Sequence, residues 1–301
     1  MPVLPSRCVL AFLLLSAAVA AYGQEAGTAA SRKAAKPFKP TRESPAALIR
    51  QEVGLASVEI AYARPTCKGR DLKAELALLT GPWRFGANAA TKFVLGAPAE
   101  IGGVRVPAGP YAIFAIPADG EWTLILNAAA EQWGSYFYAP SKDVLRFKVP
   151  ATVGARRERL TFTLDVKGDD MVVVGFAFST ITLSFDVRFD VRGLEDAQID
   201  AALSALAPDD WGTRLQIAQT WIKRGERLED AGRLLAEARK VSSSFWISEW
   251  TGRLRHAEGR SEEGAPLLEE AAAAARGKAP AEYCDDLVKL AAVWRKGKGT
   301  K

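Results

Sequence analysis

Histidine and cysteine are scarce in this chain. Its 301 residues include one histidine, His256, and three cysteines. The single histidine excludes a histidine-rich metal site and a metalloenzyme helix with paired histidines, and it leaves none for catalysis before residue 256. We therefore predict no metal, no cofactor and no catalytic residue, and the sequence identifies no reaction.

Long apolar runs are equally scarce, and the one at the start of the chain is typical of a signal peptide. In residues 1–23 a single charge, Arg7, precedes an apolar stretch that ends in small residues, the last of them Gly23. The stretch is too short to cross a bilayer core of about 30 Å, and no later segment reaches the ~20 apolar residues of a membrane helix. We predict an exported protein, periplasmic or extracellular after cleavage, without a transmembrane segment.

Export would leave Cys67 and Cys284 in an oxidising compartment, where disulfides form. The two residues lie far apart in sequence and in different predicted domains, so a bridge would need a close contact between those domains. We predict two free thiols, with a disulfide as the alternative.

The positive charge of the chain is unevenly distributed. The composition, 49% hydrophobic and 25% charged, is globular, and the length predicts two folded units. The formal charge of +5 is concentrated in residues 24–43, which carry five basic and two acidic side chains. This segment is predicted to be a basic flexible linker, with adhesion to an anionic lipid or an acidic polymer as the alternative. Because no ordered aromatic surface accompanies it, we expect no nucleic-acid partner.

Residues 44–192 show the two-residue alternation of half-buried strands. Apolar and polar residues alternate over 160–167 and again over 181–189. Further short apolar segments are separated by turns rich in glycine, proline and aspartate, and a short helix is predicted at 71–79. About eight short strands without long helices between them predict an antiparallel β-sandwich or jelly roll.

This region contains six ordered motifs: 62–70 (YARPTCKGR), 83–91 (WRFGANAAT), 107–117 (PAGPYAIFAIP), 122–127 (WTLILN), 132–134 (QWG) and 143–146 (DVLR). Together they resemble domain-of-unknown-function family 2911, which comprises exported bacterial proteins. The resemblance covers about the first half of the chain that follows the signal peptide. It implies an exported β-rich domain, and it implies no reaction.

The same motifs contain cationic and aromatic residues that would suit an anionic or sugar-like ligand if they converge. Arginine makes bidentate contacts to anions, and aromatic rings stack on sugars. The predicted ligand-binding residues are Arg64, Lys68, Arg70, Trp83, Arg84, Asn88, Tyr111, Trp122, Trp133 and Tyr138, with Tyr136 as a further ring. The alternative is structural: the rings fill the core, the arginines hold loops and Asn88 caps a turn.

Catalysis without histidine is the alternative function. Asp71 and Glu75 lie four residues apart on the predicted short helix, so they share a face and could act as the paired carboxylates of a polysaccharide hydrolase. The simpler interpretation is a solvated face, or ion pairs with Lys68 and Arg70. We favour a non-enzymatic binding or assembly function.

Residues 194–296 change to helical spacing, which makes this an α+β multidomain chain. A shift of 34 residues superimposes Gly225 on Gly259 and Leu234 on Leu268, so this all-α region resembles degenerate tetratricopeptide repeats built from helix hairpins. Such repeats often bind a protein partner in a groove. Four tryptophans either line this groove or fill the helical core: Trp211, Trp221, Trp246 and Trp250. Residues 297–301 are predicted to be a disordered tail.

Overall fold

The computed structural model of the protein describes residues 40–296. The predicted signal peptide, most of the predicted linker and the predicted tail lie outside these residues. Within the described chain, all strands fall between Ala46 and Phe189, and the helices that follow occupy Val191 to Arg295. The predicted α+β class, with a β-rich part followed by a helical part, is confirmed.

The sheet region contains ten strands in the described chain. They are β1 (Ala46–Val53), β2 (Ala56–Ala63), β3 (Thr91–Leu95), β4 (Ala99–Ile101), β5 (Val104–Val106), β6 (Gly109–Ile116), β7 (Glu121–Asn127), β8 (Asp143–Pro150), β9 (Thr152–Lys167) and β10 (Met171–Phe189). A short helix, α1 (Leu72–Ala77), follows β2, and one 3-10 turn (Pro140–Lys142) precedes β8. The short helix therefore lies within the predicted range 71–79.

Two antiparallel sheets pack face to face in this region. The first has the strand order β1-β2-β3-β6-β7-β8 and the second the order β5-β4-β10-β9. The apolar residues of each alternating strand point between the sheets, as in β10, where Phe185, Val187 and Phe189 are buried. The sandwich is therefore built from the alternation that the sequence shows.

Strands β9 and β10 are longer and less regular than the alternation predicts. The predicted strand 181–189 is only the second half of β10, because the chain continues through Ser179 instead of turning. Ser179 has a φ of +53°, and the pairing register shifts on both sides of it. A bulge bends a strand without ending it, and a sequence pattern does not distinguish a bulge from a turn.

The helical region contains six helices in the described chain. They are α2 (Val191–Ser204), α3 (Trp211–Arg224), α4 (Leu228–Val241), α5 (Phe245–Ala257), α6 (Ser261–Ala275) and α7 (Ala281–Arg295). Gly225 and Gly259, at φ values of +69° and +78°, lie in the turns of the α3–α4 and α5–α6 hairpins. The assignment of these hairpins to tetratricopeptide repeats remains a prediction.

Small residues allow the second hairpin to close tightly. A Cβ atom added to Gly264 would lie 2.5 Å from the carbonyl oxygen of Gly252 on the facing helix, so only glycine fits. Of the four tryptophans predicted to line a groove or fill the helical core, Trp221 is buried and Trp246 is exposed. Trp211 and Trp250 are partly buried against the same core.

Two further predictions can be checked in the described chain. Cys67 and Cys284 are both free and both buried, in agreement with the prediction of unpaired thiols. None of the helices between residues 40 and 296 is long and apolar enough to span a membrane.

Candidate functional site

The structure does not bring the ten predicted ligand-binding residues to one surface. Trp122 is only 4% exposed and Tyr111 is buried, because both occupy strand positions that point between the sheets. The Tyr111 hydroxyl donates a hydrogen bond to the Pro107 carbonyl at 2.8 Å, and burial raises the pKa of this tyrosine. Both rings are therefore interior side chains of the sandwich.

Trp83 also contributes to the interior. Its half-buried ring packs edge-on against Trp122 and Phe176, at centroid distances of 6.3 and 6.2 Å. Its backbone pairs with Ala115 through two hydrogen bonds of 2.8 and 2.9 Å, which hold this segment against β6. Trp83 therefore fixes the position of its neighbour Arg84.

Three of the four predicted cations are already engaged by the protein. Arg64 donates hydrogen bonds to the Leu160 carbonyl at 3.0 Å and to the Thr161 hydroxyl at 2.9 Å. Lys68 forms an ion pair with Glu43 at 3.2 Å, and Arg70 forms one with Glu75 at 2.9 Å. Lys68 and Arg70 are therefore paired with carboxylates, whereas Arg64 keeps its charge but is held by a carbonyl and a hydroxyl group.

The Asn88 side chain makes a long-range hydrogen bond and not the turn cap of the structural alternative. Its φ is +63°, in the left-handed region that asparagine tolerates better than most residues. Its side-chain amide donates to the Ser44 carbonyl at 3.2 Å, across the start of β1. The side chain thus ties the segment after Trp83 to the first strand.

The remaining predicted residues meet at a loop that covers the outer face of the first sheet. This aromatic loop, residues 128–139, runs from the end of β7 to the 3-10 turn before β8. The Ala90 amide donates to the Gln132 carbonyl at 3.1 Å, and Trp133 forms an isolated β-bridge with Ala89. The loop is therefore joined to the segment that carries Arg84 and Asn88.

Three aromatic side chains of this loop are exposed to solvent. Trp133 is 52% exposed, Tyr136 is 80% exposed and Phe137 is 73% exposed. The Arg42 guanidinium lies 6.0 Å from the Trp133 ring centroid, within cation–π range. Exposure of large aromatic rings to water is unfavourable, so several exposed rings on one loop are typical of a binding surface.

Arg84 and Gln132 each place an unsatisfied polar atom beside this loop. The Arg84 Nε and the Gln132 Oε1 are buried and have no hydrogen-bond partner in the described chain. Gly134 lies next to both Arg84 and Tyr136: a Cβ atom built on it would be 3.5 Å from Nη1 and 3.1 Å from the tyrosine ring. We call Arg42, Arg84, Trp133, Tyr136 and Phe137 the aromatic loop surface.

Gln132 also lines a cavity of about 230 Å³ between the loop and the ends of β1 and β2. Arg42, Asn88 and Lys92 line the same cavity, and Lys92 forms an ion pair with Glu131. The cavity combines several hydrogen-bond donors with alanine methyl groups. It extends the aromatic loop surface and provides room for a small polar group.

Asp143 anchors the end of the aromatic loop. Its carboxylate accepts hydrogen bonds from the Asn127 amide at 2.8 Å, the Tyr138 hydroxyl at 2.7 Å and the Arg146 Nε at 2.8 Å. Burial and the Asp143 carboxylate together raise the pKa of Tyr138 to about 12. The Tyr138 ring packs edge-on against Phe114 at 5.1 Å, so this predicted residue supports the loop from below.

The two carboxylates of the alternative hydrolase have identifiable contacts. Asp71 is the N-cap of α1 and accepts a hydrogen bond from the Ala74 amide at 3.1 Å. Glu75 is the partner of Arg70. Among residues 40–296, no group of three or more histidine, cysteine, aspartate or glutamate side chains is arranged to hold a metal ion.

Phe137, Gln132 and Arg42 belong to the candidate site but were not predicted. Phe137 lies in the run Ser135-Tyr-Phe-Tyr138, in which consecutive aromatic residues lack strand alternation. Consecutive residues of an extended segment point in opposite directions, so the rings of such a run cannot all be buried. The run of adjacent aromatic residues could therefore have indicated exposed rings. The burial of Gln132 depends on long-range contacts that the sequence does not show.

Comparison with known proteins gives one match. No curated protein and no solved structure matches the chain significantly. The model of a family described as "Protein of unknown function (DUF2911)" matches residues 44–187. These residues contain both sheets almost completely and the whole aromatic loop surface except Arg42. Residues 44–187 therefore form a domain of the DUF2911 family.

Proposed function

We propose that this chain is an exported, non-enzymatic binding protein whose sheet region holds an anionic glycan at the aromatic loop surface. One observation carries the proposal: the loop that exposes three aromatic rings lies against Arg84, which has no acidic partner in the described chain. The rings supply stacking faces for sugars, and the guanidinium supplies donors for a carboxylate or a sulfate.

The state of Arg84 supports a ligand that carries oxygen atoms. A buried donor without an acceptor costs free energy, and an acceptor supplied by a ligand would recover it. The ion pairs of residues 40–296 include Lys68 and Arg70 but not Arg84. Arg84 is therefore the cation of the predicted set that is best placed to bind an external anion.

Binding by sugars can be tested with the full chain on an array of neutral, carboxylated and sulfated glycans. We expect sulfated or carboxylated oligosaccharides to bind, and calorimetry with a sulfated hexasaccharide to give a saturable isotherm. Trp133→Ala should weaken binding about three- to tenfold through loss of ring stacking. Arg84→Gln should weaken it about tenfold or more through loss of charge-assisted hydrogen bonds.

Trp246→Ala is the matched control, because Trp246 is also an exposed tryptophan but lies in the helical region. Equal loss of affinity in Trp133→Ala and Trp246→Ala would contradict the proposal. Full glycan affinity in Arg84→Gln would show that Arg84 does not contribute to binding. The denaturation midpoint of each variant separates loss of binding from loss of folding.

The helical region is proposed to bind a protein partner. Phe245, Trp246 and Tyr283 form an aromatic cluster with centroid distances of 4.8 to 6.1 Å, and Trp246 is exposed within it. Exposed aromatic clusters are typical centres of protein interfaces. A photo-crosslinking residue at Trp246 should capture a defined partner that the same residue at the exposed Lys240 does not capture.

The hydrolase alternative also has a direct test. If Asp71 and Glu75 were the catalytic carboxylates of a hydrolase, the wild-type chain would release reducing sugars from acidic polysaccharides, and Glu75→Gln would abolish that release. We expect no release from the wild-type chain. Cleavage that disappears in Glu75→Gln would establish the hydrolase and replace the binding proposal.

A further inference from the structure

A second cavity, of about 350 Å³, opens at one end of the sandwich. Its walls come from α1, from the turn between β6 and β7, from the junction of β8 and β9, and from the middle of β10. None of its lining residues belongs to the aromatic loop surface. Its volume lies within the range of about 300–1,000 Å³ that is usual for small-molecule sites.

The inner wall of this cavity is apolar and rigid. Trp122 and Leu76 are buried side chains that line it, and Ile181 lies half-buried opposite. The Trp122 ring is fixed by contacts with Trp83 and Phe176, both at 6.3 Å between ring centroids. Because these rings support each other, the Trp122 side chain cannot turn to fill the cavity.

An irregular strand pairing keeps the cavity open. Ala177 of β10 pairs with Thr161 of β9, and Ile181 of β10 pairs with Val153 of β9. Between these two pairs β9 therefore spans eight residues and β10 only four. The additional residues of β9 bulge away from β10, and Ser179 lies at the centre of the irregularity with a positive φ. Bulges are frequent next to binding sites because they change the direction of neighbouring side chains. Here Thr180 and Ile181 are directed to the cavity wall.

The rim of the cavity is polar but carries no excess charge. Lys73 and Asp119 form an ion pair of 3.1 Å across it, and both side chains are largely exposed. Thr152 adds a hydroxyl group to the rim. Val153, an exposed apolar residue, also lines the cavity. The opening is thus suited to an apolar chain that ends in an uncharged polar group.

We propose that this cavity binds the alkyl chain of a soluble single-chain amphiphile. The chain lies against Trp122 and Leu76, and an uncharged head group, such as a hydroxyl, lies between Lys73 and Thr152. At about 30 Å³ for each water-sized group, the volume accommodates about ten to twelve non-hydrogen atoms. The proposal is independent of the glycan surface.

The chain length of the ligand provides a quantitative test. Burial of one methylene contributes about 0.8 kcal/mol, so each added carbon should tighten binding about fourfold. Calorimetric titration of the full chain with n-alkanols from hexanol to dodecanol should show this increase up to about ten carbons. Beyond that length the affinity should stop rising, because the cavity is full. Absence of saturable one-to-one binding by decanol would overturn the proposal.

Variants that fill the cavity identify the site. Ala77 and Ala151 line it, and Ala77→Trp and Ala151→Leu should each weaken decanol binding at least tenfold. Ala74 lies on the same short helix but outside the cavity, so Ala74→Trp is the matched control and should bind as the wild type does. Equal decanol affinity in all three variants and the wild type would refute the assignment.

The nature of the head group is tested with charged analogues. Decanoate and decylammonium should bind more weakly than decanol, because the rim pairs one positive with one negative side chain. Tighter binding of either ion would contradict an uncharged head. Co-sedimentation of the wild type with phosphatidylcholine vesicles, lost in Ala77→Trp, would identify a membrane lipid as the source of the chain and overturn the assignment to a free amphiphile.

Discussion

Replacing Asp143 by alanine should detach the aromatic loop from the sheet beneath it. The Asp143 side chain is only 10% exposed and accepts hydrogen bonds from Asn127, Tyr138 and Arg146. Asn127 is itself fully buried. Removal of the carboxylate leaves the Tyr138 hydroxyl and one Asn127 proton without their acceptor. The loop loses its attachment at the point where it joins β8.

The expected loss of stability follows from the burial of each hydrogen bond. A hydrogen bond to a charged group contributes about 1.5–3 kcal/mol when it is buried. The bond from Arg146 is partly screened because that side chain is 46% exposed, so it adds less than about 1 kcal/mol. Because contributions within one network are not additive, we expect Asp143→Ala to lower the free energy of unfolding by about 2–4 kcal/mol.

Two measurements test this prediction. Urea denaturation followed by tryptophan fluorescence gives the free energy of unfolding, with Asp186→Ala as the control at an exposed aspartate. Ultraviolet titration gives the pKa of Tyr138, which should fall from about 12 towards its ordinary value, because one of the groups that raises it is gone. If Asp143→Ala and Asp186→Ala were equally stable, with the Tyr138 pKa unchanged, the anchoring role would be refuted.

Other predictions concern alkaline pH, helix packing and a buried carboxylate. Folding raises the pKa of Tyr138 to about 12 and also raises that of Tyr283. The free energy of unfolding should therefore be unaffected by these groups below pH ~10 and should fall as the pH rises towards about 12. Tyr138→Phe should reduce this fall in alkaline denaturation curves. Gly264→Ala should cost about 1–3 kcal/mol in urea because its Cβ would clash, whereas Gly212→Ala, with 3.6 Å of clearance, should be neutral or stabilising. Glu249→Ala should cost about 3–5 kcal/mol in thermal or urea unfolding, because it leaves a buried network without its carboxylate.

The sheet region was predictable wherever a strand has one buried and one exposed face. The segments 160–167 and 181–189 alternate clearly, and both are strands. Strand β1 was missed because it is an exposed edge strand, in which Leu48 faces solvent and the apolar residues do not share one buried face. It pairs with β2 in a hairpin closed by the two-residue turn Gly54-Leu55, so the turn glycine is the local signal that could have indicated this strand.

The candidate site was predictable only in part, for similar reasons. The inward position of Trp122 could have been predicted, since it alternates with Leu124 and Leu126 along β7. The ion pair of Lys68 with Glu43 could not, because it joins residues that are 25 positions apart in sequence. The sequence indicates which residues have the required chemistry, but the packing of the aromatic loop decides which of them face solvent.

Ligand binding at the aromatic loop surface can be followed through the indole N–H signals of the eight tryptophans. A ¹H–¹⁵N spectrum of the full chain should be recorded during titration with a sulfated hexasaccharide. We expect the Trp133 signal to shift in proportion to saturation while the signals of Trp122 and Trp246 stay in place. A titration that shifts Trp246 and leaves Trp133 unchanged would contradict binding at this surface.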